Sequence, residues 1–189
     1  MRVAIIGCGS IARQRHAHEY SLNSNVEIAG FFDFVSERAQ ELAEEYGSKA
    51  YSSLDELLED KSVDAVSVCV ANAYHAETTI KALRSGKHVL CEKPMAISLE
   101  DCEEMIKEAE RSGKRLMIGH NQRLTPAHRR AKEIIASGEM GKVLTFFSMF
   151  GHGGPESWSI EKSRNIWCFK KSSGAFGSMT NLGIHKIDL

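Results

Sequence analysis

The sequence predicts an α/β fold in which a doubly wound parallel sheet carries helices on both faces. Short apolar runs alternate with segments of helical periodicity from residue 1 to about residue 120. The runs are apolar at successive positions, as expected for strands that are buried on both faces. Residues that begin and end helices separate the runs, and this order favours parallel strands joined by right-handed crossovers.

The first part of the chain contains two strong strand patterns, at Val3–Ile6 and Val26–Phe32. A helix is predicted between them at Ile11–Leu22. A second helix is predicted from Ser36 to Tyr46, because serine is a favoured N-cap and Gly47 suits a helix C-terminus.

The same alternation continues to residue 119. Ser53 and Glu56 have the spacing of a capping box and predict a short helix. Ser98 predicts the start of another helix, with Asp101 in its first turn, and Gly113 ends that helix. The other predicted elements are strands at Ala50-Tyr51, Asp64–Val70, His88–Cys91 and Arg115–Gly119, and a helix from Asn72 or Tyr74 to Ser85-Gly86.

The turn after the first strand carries the motif Gly7-x-Gly9-x-x-Ala12, with Ser10 and Ile11 inside it. Gly7 permits a tight turn, Gly9 lets a pyrophosphate approach the backbone, and Ala12 lets the helix pack near the strand. The N–H groups at the helix N-terminus then face the phosphates. We therefore interpret residues 7–12 as the dinucleotide-binding loop of a Rossmann domain. The alternative is an ordinary strand–helix turn whose glycines serve only the backbone.

Asp33 follows the second strand, where a carboxylate can accept hydrogen bonds from a ribose diol. This carboxylate suits the free 2′-hydroxyl of NAD and repels the 2′-phosphate of NADP. Arg38 lies one turn into the next helix and can soften that repulsion. NAD is the favoured cofactor, and NADP is the alternative.

Lys93 follows the fifth strand in the run Cys91-Glu92-Lys93-Pro94. Ligands of a doubly wound sheet bind beyond the carboxyl ends of the strands, so Lys93 is expected where nicotinamide and substrate meet. A lysine there can hold a hydroxyl and accept its proton if partial burial lowers its pKa. A cis peptide before Pro94 would aim Lys93 inward. The alternative is a surface turn.

After residue 120 the pattern changes, and we expect a second domain, of α+β type and incomplete, over residues 121–189. A helix is predicted at Thr125–Ser137 and a strand at Val143–Phe150, which has strong strand composition. Residues 151–180 are rich in Gly, Ser and aromatics and predict loops with short strands. An apolar helical pattern precedes Leu189.

The composition is that of an ordinary globular protein of 189 residues, 42% hydrophobic and 26% charged. The net charge of −1 gives no general attraction to nucleic acid or to anionic membranes. Five scattered cysteines and the absence of a leader or membrane-length apolar run favour the cytoplasm. The eight histidines show no metal-ligand spacing, so no metal is expected, and His16 and His18 are interpreted as surface or packing residues.

Taken together, the motifs of the chain resemble those of the Gfo/Idh/MocA family, named for glucose-fructose oxidoreductase, inositol dehydrogenase and a rhizopine-catabolism protein. The resemblance covers essentially the whole chain, and the run ending in Glu-Lys-Pro is its most specific part. The motifs are Gly7-x-Gly9-x-x-Ala12, Asp33, Asn72-x-x-His75-Ala76-Glu77, Gly86-Lys87-His88-Val89-Leu90-Cys91-Glu92-Lys93-Pro94, Gly119-His120-Asn121-x-Arg123 and Gly183-x-His185-x-x-Asp188.

The resemblance implies an NAD(P)-dependent oxidoreductase acting on a sugar, polyol or related hydroxy compound. Lys93 would hold and help deprotonate the reacting hydroxyl, and His185 would be the acid/base. The implied residues near the nicotinamide are Asn72, His75 and Glu92, and Arg123 would contact the substrate. The family's second domain is an open sheet that forms the oligomer interface, which implies a homo-oligomer, either a dimer or a tetramer.

One departure concerns catalysis: Asn181 stands where the family usually has an aspartate, four residues before His185. Asparagine can hold a hydroxyl by hydrogen bonds but cannot carry a proton. The alternative function is therefore a non-catalytic NAD(P)-binding regulatory module or an inactive cofactor-binding fragment.

Overall fold

The structure, a computed structural model, describes the backbone of residues 1–189 and every side chain except that of Trp158. Its centre is a six-stranded sheet with the order β3-β2-β1-β4-β5-β6, and every neighbouring pair is parallel. The strands are β1 (Arg2–Ile6), β2 (Glu27–Phe32), β3 (Lys49–Ala50), β4 (Ala65–Val68), β5 (His88–Cys91) and β6 (Leu116–Ile118). The predicted doubly wound Rossmann sheet is confirmed.

Helices connect all the strands of the sheet. The first connection, α1, is a π-helical stretch (Ala12–Ala17) that continues as α-helix (His18–Ser21). A 3₁₀ turn, Asn72–Tyr74, leads into α4. The other helices of this region are α2 (Ser36–Glu45), α3 (Leu54–Glu59), α4 (His75–Arg84) and α5 (Leu99–Ser112).

The helices cover both faces of the sheet, and β1 shows how. Ile5 points to one face, where it packs with Ala12 of α1 and Leu42 of α2. Ala4 and Ile6 point to the other face, into the core that also contains residues of α3, α4 and α5. This alternation is the period of two that a strand imposes on its side chains. Because both faces are apolar, β1 is continuously hydrophobic, as the sequence pattern indicated.

Side-chain caps explain where two helices begin. Ser53 Oγ accepts the Glu56 N–H at 3.1 Å, and Ser98 Oγ accepts the Asp101 N–H at 3.1 Å. The prediction that Ser36 caps α2 is wrong. Ser36 is the first helical residue, and Val35 holds the cap position without a side-chain bond. The Asp33 carboxylate instead accepts the Val35 N–H at 2.8 Å and sets the turn that enters the helix.

Residues 121–189 contribute no strand to the part of the chain that the structure describes. The predicted strand at Val143–Phe150 is wrong: these residues are irregular and exposed, and Leu144 and Phe147 are 85% and 87% accessible. β-branched and aromatic composition forms a strand only against a pairing partner, and here it has none. The short strands predicted within 151–180 are also wrong, because the segment forms brief helical turns. The helices are α6 (Pro126–Ser137), α7 (Pro155–Trp158), α8 (Lys171–Gly174) and α9 (Ile184–Ile187), and a π-helical stretch, Met179–Gly183, precedes α9.

None of the helices that the structure describes is long and apolar enough to cross a membrane.

Replacing Gly7 with alanine is expected to destabilise the fold. Gly7 has φ +93°, and an added Cβ would lie 2.7 Å from the backbone carbonyl of Cys69. Strain and overlap together should reduce the free energy of unfolding by about 2 to 4 kcal/mol, measured by denaturant titration. Gly9→Ala is the matched control, because a Cβ there meets nothing within 4 Å. Equal unfolding free energies for the two variants would contradict this explanation.

Candidate cofactor and active site

A cavity of about 490 Å³ opens at the carboxyl ends of the central strands β1 and β4. These two strands flank the point where the strand order of the sheet reverses, which is where doubly wound folds bind ligands. Its wall combines the glycine loop, the segments after β4 and β5, and residues from the last forty positions of the chain. The sequence-predicted site residues on this wall are Gly9, Ser10, Ile11, Arg38, Asn72, His75, Glu92, Lys93, Asn181 and His185.

The glycine loop is held by backbone contacts. The Gly7 N–H donates to the Phe32 carbonyl at 2.7 Å, and the Cys8 N–H donates to Asp33 Oδ2 at 2.7 Å. Gly7 therefore serves the turn itself and is buried beneath it, whereas Gly9 faces open space on the cavity wall. Ala12 is fully buried between α1 and the sheet.

Asp33 and Arg38 are each engaged within the protein. Both Asp33 oxygens accept backbone N–H groups, those of Cys8 and Val35. A carboxylate has about four acceptor positions, so it retains capacity for a ribose hydroxyl. Arg38 forms an ion pair with Glu161, an exposed residue that also lines the cavity. A 2′-phosphate would have to compete with Glu161 for this guanidinium.

Asn72 and His75 lie after β4 and are almost completely buried. His75 Nδ1 is 2.6 Å from the Pro94 carbonyl, and its Nε2 is 3.1 Å from the Val70 carbonyl. Burial lowers the pKa of His75, and the two carbonyl contacts oppose this effect. His75 therefore connects the segment after β4 to the carbonyl of Pro94, the residue that follows the cis Lys93–Pro94 peptide bond.

Lys93 reaches into the cavity from the end of β5. Its backbone N–H donates to Glu92 Oε2 at 3.2 Å, and its Nζ donates to the backbone carbonyl of Asn181 at 3.2 Å. Burial lowers the pKa of Lys93, and the Glu92 carboxylate opposes this effect. The amine thus gives up its proton more readily than an exposed lysine.

His185 is 9% accessible and lies on the same cavity wall, with its ring edge-to-face against Phe150 at 5.8 Å. Burial, followed by the positive charges of Lys93 and His120, lowers the pKa of His185 to about 4. Nδ1 of His185 has no hydrogen-bond partner among the described residues. At neutral pH the ring is uncharged and able to accept a proton.

The described residues fit a dinucleotide at this position. Gly9 leaves a gap that a Cβ would partly fill, beside the N-terminal end of α1, where a pyrophosphate is favoured. Asn72 Nδ2 is buried and has no acceptor among the described residues, so it is available to an oxygen of the bound group. No cluster of three metal-ligating side chains occurs among the described residues.

The structure places Arg123 elsewhere. Its guanidinium is bonded to the Asp188 carboxylate, with Nε to Oδ2 at 2.8 Å. It lines a second cavity of about 430 Å³, outside the wall that carries Lys93 and His185. Arg123 thereby connects the turn after β6 to the end of α9.

Sequence reasoning missed several residues of the site. Phe150, Trp167 and Ile166 form an apolar side of the first cavity, although their segment carried no periodic signal. His16 was interpreted as a surface or packing residue, yet its Nε2 is 3.0 Å from Glu92 Oε1. A contact between residues 16 and 92 has no local signature in the sequence.

The pKa of His185 is expected to rise when the charge of Lys93 is removed. In the wild-type chain the imidazole should titrate at about 4 by NMR, well below the ordinary histidine value. Lys93→Met removes a nearby positive charge and should move this pKa upward. Lys171→Met, which changes an exposed lysine, should leave it in place. An unchanged His185 titration in Lys93→Met would show that the two groups are not coupled.

Two family models match the chain. Residues 1–120 match "Oxidoreductase family, NAD-binding Rossmann fold", and residues 128–189 match "GFO/IDH/MocA C-terminal domain". Among curated relatives, the glucose-6-phosphate 3-dehydrogenase of Bacillus subtilis (strain 168) is 34% identical over 192 aligned positions, which cover 100% of this chain and 52% of the relative. The chain spans about half the length of the curated relatives it matches.

Solved structures give the same result. An NAD-binding protein from Listeria innocua superposes with a TM-score of 0.79 at 29% identity, covering 99% of this chain and 52% of that one. A 3-ketoreductase from Actinomadura kijaniata, solved with NADP and TDP-benzene, superposes with a TM-score of 0.69 at 32% identity, covering 73% and 42%. The glycine loop, the Lys93–Pro94 turn and the matches along both parts of the chain lead to one conclusion: the chain belongs to the Gfo/Idh/MocA oxidoreductase family, and its first 120 residues form an NAD-binding Rossmann domain.

Proposed function

We propose that the protein is an NAD(P)-dependent oxidoreductase that transfers a hydride between the nicotinamide and a hydroxyl-bearing carbon of a sugar, polyol or related compound. The observation that carries this proposal is the shared cavity. Lys93 and His185 line the same space as the glycine loop, and both have lowered pKa values. Perturbed acid–base groups beside a cofactor-binding loop are typical of an active site.

The bound dinucleotide supplies the hydride acceptor. In the oxidation direction, the Lys93 ammonium donates a hydrogen bond to the substrate oxygen and stabilises the negative charge that develops there. The neutral His185 ring accepts the hydroxyl proton as the C–O bond becomes a carbonyl. Reduction uses the same groups in reverse, with protonated His185 returning the proton.

The asparagine at position 181 is compatible with this role. Lys93 Nζ bonds to the backbone carbonyl of Asn181, a contact that any residue at this position can provide. The side chain is then free to hold a substrate hydroxyl. What an aspartate would add is a negative charge near His185, and its absence is in keeping with the low pKa of that ring.

The substrate class follows from the relatives. One is named a glucose-6-phosphate 3-dehydrogenase and another a 3-ketoreductase, so both act at position 3 of their substrates. We propose the 3-hydroxyl of a sugar as the first candidate, with inositol-like polyols as the second. The apolar side formed by Phe150 and Trp167 suits the C–H face of a sugar ring.

We further propose a homo-oligomer, either a dimer or a tetramer, that works in the cytoplasm on a small-molecule substrate without nucleic acid. The exposed apolar run that includes Leu144 and Phe147 favours burial against another surface. The five cysteines are free thiols, which suits a reducing compartment. We propose a boundary near residue 120 between the dinucleotide-binding domain and the C-terminal substrate domain.

Asn181 favours a second candidate function, a non-catalytic NAD(P)-binding module. The two functions are separated by mixing the protein with NAD or NADP and a panel of sugars and polyols, and following the absorbance of the reduced nicotinamide. Turnover of any panel member would exclude the module. Cofactor binding without turnover across the panel would favour it.

Lys93→Ala is expected to remove turnover while leaving cofactor binding. Loss of the group that stabilises the reacting oxygen should reduce kcat by about 10² to 10⁴-fold, and the Kd for the dinucleotide should stay within about twofold. Lys171→Ala, at an exposed position, is the control for general effects of losing a lysine. Retained kcat in Lys93→Ala would remove Lys93 from the mechanism.

Asp33→Ser is expected to weaken NAD binding by about tenfold and to narrow the preference for NAD over NADP. It removes the ribose acceptor and also the bond to the Cys8 N–H. Asp33→Asn separates these effects, because it keeps an oxygen for Cys8 but loses the charge that repels a 2′-phosphate. Fluorescence titration with both cofactors measures the result. Equal curves for the parent and both variants would contradict the assignment of Asp33.

A further inference from the structure

His16 contacts Glu92 from the side of the second cavity. The first cavity contains Glu92 and Lys93 on its wall, while His16 lines the second cavity, which shares Glu92 with the first. His16 does not line the first cavity, whose wall carries Lys93 and His185. The two cavities share Ile11, Glu92 and Asn121, and of these it is the Glu92 side chain that His16 contacts.

The contact between His16 and Glu92 has a defined direction. Glu92 Oε1 lies 3.0 Å from His16 Nε2, and an ionised carboxylate only accepts, so Nε2–H is the donor. The pKa of the Glu92 carboxyl lies below its ordinary value: burial raises it, but the His16 hydrogen bond and the positive charge of Lys93 outweigh burial. The second oxygen, Oε2, remains for the Lys93 N–H at 3.2 Å.

His16 is itself held in place. Its ring packs edge-to-face on Tyr20 at 6.0 Å, and the Tyr20 hydroxyl bonds to Ser67 on β4 at 2.6 Å. The side chain is 9% accessible and lies in the π-helical stretch of α1, directly after the glycine loop. Because the His16 ring is held by both Tyr20 and Glu92, it can fix the position of the Glu92 carboxylate.

We propose, on the basis of the function above, that His16 is a positioning residue for Lys93: it anchors one oxygen of Glu92 so that the other oxygen holds the Lys93 backbone and the carboxylate stays beside the Lys93 amine. The first helix of the dinucleotide domain thereby orients Lys93, the residue at the end of β5 that stabilises the reacting oxygen. Without this anchor, Glu92 loses its fixed place between α1 and β5.

Several titratable groups surround this pair, and each must be considered in a test. Around Glu92 are His16 from α1, His120 from the turn after β6 and His185 from α9. Lys93 faces Glu92 beside it and His75 at the start of α4. Among these groups, Glu92 is the one that raises the Lys93 pKa, so displacement of its charge has a predictable sign.

The test measures Lys93 without requiring turnover. The cofactor-free protein is labelled with trace acetic anhydride across a range of pH, and mass spectrometry gives the acylation of Lys93 relative to exposed Lys171 in the same sample. In His16→Ala the Lys93 pKa should fall by about 0.5 to 1, because the carboxylate no longer stays beside the amine. His16→Gln retains an N–H donor near the Nε2 position and should restore the parent profile.

Two controls separate positioning from damage to the fold. His18→Ala changes an exposed histidine two residues further along α1 and should match the parent. In the Glu92→Gln background, His16→Ala should produce no additional change, because the charge it positions is gone. Unfolding curves identify any variant that fails to fold. If His16→Ala fails to fold, the Lys93 acylation profile of His16→Gln is compared with that of the parent, and a difference between the two contradicts the proposal.

Where turnover is measurable, His16→Ala should lower kcat by about tenfold and leave the KM for the dinucleotide within about twofold. A Lys93 pKa in folded His16→Ala equal to that of the parent would overturn the proposal, as would a profile that His16→Gln fails to restore. If the parent shows no turnover, that result contradicts the proposed function and not the role of His16, because the labelling experiment does not require activity.

Discussion

The close approach of Gly7 to the end of β4 is the constraint on which the site depends. A side chain at residue 7 would overlap the Cys69 carbonyl, so only glycine lets the turn after β1 lie against the segment after β4. That contact places the segments after β1 and β4, which are far apart in the sequence, side by side on the wall of the first cavity. The dinucleotide-binding loop and the Cys69–Val70 backbone then face the same space, and β5 brings Lys93 to its edge.

Hydrogen bonds beside this cavity wall connect the segment after β4, the end of β5 and α1. His75 connects the segment after β4 to the peptide beyond Lys93, and Glu92 connects β5 to α1 through His16. These contacts are buried or partly buried. Deleting one partner leaves the other without its hydrogen bond, at a cost of about 1 to 3 kcal/mol for a fully buried group. The polar groups around the cavity are therefore part of the fold as well as of the proposed site.

Most of the Rossmann domain was predictable because its signals are local. A continuous apolar run, a serine three residues before an acid, and a glycine at a helix end each act over a few residues, and β5 and the caps at Ser53 and Ser98 agree with them. The motif residues Gly9 and Lys93 could be placed from the strand order, since the carboxyl ends of parallel strands share one edge. Asn72 was placed by the family resemblance.

The remaining features depend on partners that lie far along the chain. Val143–Phe150 has the composition of a strand, but pairing decides whether a strand forms, and no pattern within the run reveals that. Arg123 and Asp188, like His16 and Glu92, meet across long separations. Lys93 and His185 were brought together by family resemblance, and their common cavity was visible only in three dimensions.

Lys93 is restrained at both ends, its N–H by Glu92 and its Nζ by the Asn181 carbonyl. A lysine side chain loses about 1.5 to 2 kcal/mol of rotamer entropy when it is immobilised. In this protein that loss occurs when the chain folds, so an arriving ligand meets an amine that is already ordered. Preorganisation of this kind raises the affinity of an amine for its ligand without adding a contact, and here it comes from a backbone carbonyl, that of Asn181.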